Sequence, residues 1–139
     1  MTKKYNSILK CAKLKVTSAR ILILDLMTNS KTPLTVEMIR EKIKNKKVDQ
    51  VTVYRTIESL LKAKIIGRVD LRKGSVFYEL LGDHHHHIVC TKCGVLEDFE
   101  SCRVEDITQK ILLGSKKFRI ISDHSFELFG ICKLCDGRI

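Results

Sequence analysis

The chain has 139 residues, 44% hydrophobic and 30% charged, with one proline and a formal net charge of +10. This is the composition of a globular rather than a disordered chain, long enough for one ordinary domain or two very small ones. No run approaches the roughly 18 apolar residues of a membrane span and no apolar leader opens the sequence, so the expected address is the cytoplasm, with no membrane partner. In that compartment the six cysteines point to metal binding or redox chemistry sooner than to structural disulfides.

The charge is unevenly distributed. Residues 1–80 hold 18 Lys+Arg against 7 Asp+Glu, a balance of +11, whereas residues 81–139 hold 8 against 9. All five histidines and five of the six cysteines lie in the second part. One half is suited to a polyanion and the other holds the soft ligands.

In chain order, the first half has helical periodicity in four pieces. Tyr5–Leu14 carries Ile8, Leu9 and Ala12 on one side, and Cys11, among those apolar residues, reads as core. Ser18–Met27 is a denser apolar helix with Ile21, Leu22, Leu24 and Leu26. Thr35 caps a helix running to about Asn45, with Ile39 and Ile43 inward. Asp49 caps a fourth helix to about Ala63, with Val53, Ile57, Leu60 and Leu61 at helical spacing. Two β-rich runs follow, Ile65–Leu71 and Val76–Leu81, joined by the turn-like Arg72-Lys73-Gly74-Ser75. Helices followed by a hairpin make a winged helix-turn-helix. On the fourth helix Thr52, Arg55, Ser59 and Lys62 fall opposite the apolar face, with Tyr54 at its edge. That face suits a major groove, with Arg55 able to make bidentate contact to guanine.

The second half reads as two strands, His85–Cys90 and Val95–Phe99, around a Cys-Thr-Lys-Cys-Gly knuckle. A helix over about Arg103–Leu113 follows, then strands Phe118–Ile121 and Ser125–Phe129 before the last cysteine pair. Cys102, near that helix start, reads first as a plain surface or core cysteine, with a stabilised thiolate and an extra metal ligand as the alternatives.

Two chelating pairs stand out, Cys90-x-x-Cys93 and Cys132-x-x-Cys135. Two such knuckles complete a tetrahedral Cys₄ zinc shell, although the 38 residues between them exceed the spacing of a zinc ribbon, so the fold must join them. A thioredoxin-like dithiol or a disulfide does not account for two pairs in one small domain. The run His84-His85-His86-His87 is internal. On a strand, alternation sends His85 and His87 one way and His84 and His86 the other, so four histidines serve two metal sites. The competing reading is a solvated His-rich loop. Glu79, Asp98, Glu105 and His124 are available to complete the shells.

These residues resemble the ferric uptake regulator family of bacterial metal-responsive repressors, which also includes zinc- and manganese-uptake regulators and peroxide sensors. The resemblance runs from Leu14-Lys15-Val16-Thr17 to Cys135. Its most specific pieces are Thr52-Val53-Tyr54-Arg55-Thr56, His84–Cys90 with Cys93-Gly94, and His124 through Gly130-Ile131-Cys132. It implies an α+β chain, with a winged-helix DNA-binding domain over 1–81 and a small α/β dimerisation domain with a Cys₄ zinc site over 82–139. It implies a homodimer that binds a palindromic operator in double-stranded DNA when metal is bound.

Carried over position by position, Cys90, Cys93, Cys132 and Cys135 hold structural Zn²⁺. Glu79, His85, His87 and Asp98 match a regulatory site for Fe²⁺, Zn²⁺ or Mn²⁺, and His84, His86, Glu105 and His124 match an additional site. Lys15, Thr52, Tyr54 and Arg55 fall where the family contacts DNA. One departure bears on the switch. The family's regulatory-site histidine from the DNA-binding domain aligns with Pro33, which cannot ligate metal, and Asp70 is the candidate substitute. Ala19 in place of a usual proline has no functional consequence that the sequence reveals.

The reading is therefore a metal-dependent dimeric repressor and not an enzyme. A peroxide-sensing regulator of the same family and a metal-storage or chaperone module are the alternatives. The storage reading leaves the basic half without a role, and a zinc hydrolase lacks any HExxH helix.

Overall fold

A computed structural model describes residues 2–46, 48–82, 85–100, 103–122 and 124–137. Two of the residues singled out above, His84 and Cys102, lie outside the described residues. The chain divides into two compact units, 1–82 and 83–139.

The first unit contains α1 (Thr2–Cys11), α2 (Ser18–Asn29), α3 (Val36–Ile43), a 3₁₀ turn at Lys44–Lys46, and α4 (Gln50–Lys62). The antiparallel hairpin of β1 (Ile66–Val69) and β2 (Phe77–Leu80) closes it. Three helices begin at side-chain caps: Thr17 accepts from the Arg20 N–H, Thr35 from the Met38 N–H, and Asp49 from the Thr52 N–H. Each cap satisfies an amide that the helix start leaves open. The apolar stripes then converge, and Leu9, Ile23, Leu24, Leu34, Ile39, Val53, Leu60 and Ile66 are fully buried in one core. The Tyr5 hydroxyl, 3.2 Å from an Asp25 carboxylate oxygen, ties α1 to α2. Leu34, just before α3, forms a β-bridge with Tyr78, so β2 is bordered on both sides.

The first helix starts and ends three residues earlier than its periodicity suggested. Cys11 is its last residue and is exposed, not core, because the inward stripe is carried by Tyr5 and Leu9.

Asp49 also accepts from the Thr52 hydroxyl, and both bonds hold its carboxyl below the ordinary 3.8. A carboxyl depressed on folding contributes stability above its unfolded pKa, and that contribution disappears as pH falls through the folded value. Asp49→Ala should therefore lower the melting midpoint of the first unit by a few degrees at pH 7. The difference from the parent should shrink in melts run well below pH 3.8. A difference that stays constant with pH contradicts the charged cap.

The second unit is a three-stranded sheet ordered β4-β3-β5, with β3 (His86–Cys90) central, β4 (Leu96–Phe99) antiparallel to it and β5 (Glu127–Gly130) parallel. Between β4 and β5 lies α5 (Val104–Gly114), and a short α6 (Lys133–Asp136) ends the described chain. Residues 118–121, expected as a strand, are not one. Phe118 and Ile120 are 68% and 78% exposed. Their aromatic and β-branched character is a preference for a half-buried pleated surface, and this segment pairs with no strand of the sheet. Apolar burial in this unit is thin: α5 has no buried residue, and Ile107, Ile111 and Leu113 are all more than half exposed.

Candidate metal centres and nucleic-acid interface

The first cysteine pair sits on a tight knuckle. The Gly94 N–H donates to the Cys90 carbonyl and the Cys90 N–H to the Val95 carbonyl, both at 2.9 Å, with Gly94 at φ +74°. A side chain is strained at that φ, which is why Gly follows Cys93. The second pair straddles the start of α6, where the Cys135 N–H donates to the Cys132 carbonyl at 3.0 Å. Parallel pairing of β5 beside β3, with Cys90 level with Gly130, brings the two knuckles together across the intervening chain. The four sulfurs lie within 4.8 Å of one another, and Cys93 Sγ is 3.7 Å from Cys132 Sγ. A tetrahedron with bonds of about 2.3 Å has S–S edges of about 3.8 Å, so this donor set fits zinc.

The charge pattern of the thiols agrees. The Cys132 N–H, 3.3 Å from Cys90 Sγ, together with the amides of Cys93 and Lys92, brings the Cys90 thiol down to about 5. Hydrogen bonds with the Cys93 and Cys132 thiols push Cys135 up to about 12. A cation set among these sulfurs would favour the thiolate form that zinc ligation requires.

On β3 the histidines separate by face. The His85 and His87 rings are 5.0 Å apart, edge to face, and His87 Nε2 is 3.6 Å from Asp98 Oδ1, its cross-strand partner. His86 points the other way, its ring 5.4 Å from His124 and 5.3 Å from Phe126. His86 and His87 are both almost fully buried. Glu105, exposed in the first turn of α5, does not join His86 and His124 in a ligand cluster among the described residues. The parallel register also sets Glu127 level with His87 on the side opposite Asp98. Sequence alternation gave no sign of this, because it cannot tell which strand pairs with which.

In the first unit, Glu79 is half-buried on β2. The Leu34–Tyr78 bridge sets buried Pro33 level with Glu79 on the neighbouring chain. A histidine at position 33 would thus stand beside the glutamate, and proline leaves that ligand out. Asp70, the candidate substitute, is not brought beside Glu79 by the hairpin register: Glu79 pairs with Gly67, and Asp70 lies three residues further along, just past the end of β1. Its carboxylate instead accepts from the Arg72 N–H at 2.8 Å.

The outer side of α4 carries exposed Arg55 and Tyr54, while Val53, Thr56, Ile57 and Leu60 are buried. The Tyr54 hydroxyl is 3.5 Å from Glu37. Thr52 spends its amide and its hydroxyl proton on Asp49, which leaves it only as an acceptor. Ser59, expected on the outer face, is half-buried and donates to the Thr56 carbonyl. Lys15 is exposed in the loop before α2. Sequence periodicity also missed Arg20, which the geometry sets between that loop and α4.

Residues 11–129 match the ferric uptake regulator family. The chain belongs to it. A ferric uptake regulation protein of Neisseria meningitidis is 36% identical over 97% of this chain and 96% of its own length. The Francisella tularensis ferric uptake regulator, solved with iron, is 32% identical with a TM-score of 0.70, covering 88% of this chain and 95% of that one. The Helicobacter pylori regulator, whose structure reveals three functional metal binding sites, has a TM-score of 0.74 at 26% identity, covering 96% and 90%. This member of the ferric uptake regulator family is a metal-responsive transcription regulator. Among its described residues no helix is long and apolar enough to cross a membrane.

Proposed function

We propose that the chain is a cytoplasmic homodimeric repressor, not an enzyme, that binds a palindromic operator when a divalent ion fills a site made by Glu79, His85, His87 and Asp98. The observation that carries this reading is the division of labour along β3. Cys90 at one end belongs to a closed Cys₄ cluster, while His87 near the other end faces Asp98 in a separate, unlike ligand set. A closed thiolate shell is structural, and an imidazole–carboxylate set exchanges Fe²⁺, Mn²⁺ or Zn²⁺. Bound there, an ion would link the end of the wing to the sheet, and only five residues separate Glu79 from His85 in the sequence. The additional set rests on the His86–His124 pair, with His84 and Glu105 as the ligands an ion would gather. Exposed Ile107, Ile111 and Leu113 on a unit with so little core support dimerisation through residues 82–139.

DNA is read by the basic unit 1–82, with Arg55 and Tyr54 in the major groove, Lys15 at the minor groove, and Thr52 contributing an acceptor. Arg55→Ala should weaken operator binding by about 1–3 kcal/mol and relax base preference at one position. Lys15→Ala should instead weaken binding across sequences and reduce the salt slope by about one. Fluorescence anisotropy over a salt series separates the two. Equal loss on all duplexes for Arg55→Ala would remove it from base recognition.

The proline departure gives a gain-of-function test. Pro33→His restores a ligand beside Glu79 and should tighten regulatory metal binding about tenfold or more, read by competition with a fluorescent chelator. Unchanged affinity would mean that position 33 does not adjoin the regulatory site.

A further inference from the structure

Arg20, on the first turn of α2, uses its guanidinium as a clamp. One terminal nitrogen donates to the Lys15 carbonyl at 2.6 Å, and the other donates to the Ser59 hydroxyl on α4 at 3.3 Å. Ser59 in turn donates to the Thr56 carbonyl at 2.9 Å, so the clamp continues into the α4 backbone. Arg20 pairs with no carboxylate among the described residues, and its Nε is buried without a hydrogen-bond partner among them. A half-buried cation held only by neutral acceptors contributes little net stability for its desolvation. What the planar fork does supply is geometry: two directed bonds at a fixed separation, which a lysine cannot reproduce.

We infer that Arg20 is a positioning residue for DNA recognition, holding the loop of Lys15 at a fixed offset from the helix of Arg55. The inference rests on the proposal that Lys15 and α4 both contact DNA. Lys15 lies on a segment between α1 and α2, and it is the carbonyl of that residue that Arg20 grips. A loop contact and a helix contact made to one duplex succeed together only if their separation matches the distance between the two grooves. Fixing that separation before binding removes the ordering cost that a loose loop carries. Arg20 thereby acts through Lys15 and α4 and need not touch the nucleic acid.

The test is a double-mutant cycle on the full metal-loaded chain, using a duplex selected by that protein from a random-sequence pool. Arg20→Met and Arg20→Lys should each weaken binding to this duplex about tenfold, and the loss in Arg20→Lys, which keeps the charge, separates geometry from charge. Lys15→Ala should cost much less in the Arg20→Met background than in the parent. Ser59→Ala, which retains the charge and removes one anchor, should give a smaller loss of the same kind, and it carries the test if Arg20→Met fails to fold. Full affinity in Arg20→Lys, or a Lys15→Ala loss that adds fully to that of Arg20→Met, overturns positioning and makes Arg20 a plain phosphate contact. If Lys15→Ala alone leaves affinity unchanged, Lys15 does not read DNA, and the inference falls with that part of the proposed function. If Lys15→Ala weakens binding but the cycle is additive, only the inference falls.

Discussion

Replacing Cys93 with alanine should empty the zinc site and unfold the second unit while leaving the first unit's helices intact. The expectation follows from where stability is available. Among the described residues of unit 83–139 the buried ones are His86, His87, Val89 and Cys90, a single stretch of β3. Those described residues form nothing like the fourteen-residue core of the first unit. Small domains of this kind depend on a metal staple, and structural zinc contributes about 10–16 kcal/mol of apparent binding free energy in comparable peptides. The Cys₄ cluster also does a topological job. It joins the β3 end of the sheet to the chain after β5, which pairs parallel and so lacks a hairpin to hold it. Native mass spectrometry should find the variant without tightly bound zinc. Thermal melts by circular dichroism should lose the contribution of the second unit. Retention of one zinc per chain with parental melting would show that the thiolates do not hold a structural ion.

His87→Ala should have the opposite profile: zinc retained, fold largely retained, metal-responsive operator binding lost. His87 is 3% exposed, with Asp98 3.6 Å away and the His85 ring at 5.0 Å. Removing it deletes the central member of the proposed set, and losing a direct ligand should weaken metal binding at least as much as the roughly 10- to 100-fold that removing an outer-shell partner costs. The Cys₄ cluster begins three residues along the strand and is not touched. Operator affinity of the variant at saturating metal for the parent should match that of the metal-stripped parent. A variant that still responds at the parental metal concentration would move the regulatory site elsewhere.

Much of this was legible before the structure, for identifiable reasons. The helix α4 announced itself through Asp49 at its cap and a clean apolar spacing, and both cues are local. The strand alternation of the histidines was equally local, and His85 with His87 and His86 with His124 do lie on separate faces. What failed depended on pairing. Residues 118–121 have strand-like composition but no neighbour to pair with, and Glu127 became a neighbour of His87 only through a parallel register. The position of Asp70 relative to Glu79 likewise depended on the hairpin register, which puts it past the end of β1, three residues beyond Glu79's partner Gly67. Arg20 has no sequence signature, because its two partners lie 5 and 39 residues away. Conversely, the bridge at Leu34 gives physical content to the Pro33 departure, since it sets that residue beside Glu79.

The central claim, that a loosely held ion controls DNA binding while a tightly held one supports the fold, is tested most directly by operator affinity under selective metal removal. The protein is treated anaerobically with a chelator that strips the imidazole–carboxylate site and spares the thiolate site, with zinc content checked on the same sample. Affinity for the selected duplex should fall about 5- to 150-fold, the range of 1–3 kcal/mol of coupling, and return on adding Fe²⁺, Mn²⁺ or Zn²⁺. Unchanged affinity in protein that has lost the exchangeable ion and kept its zinc would contradict the account.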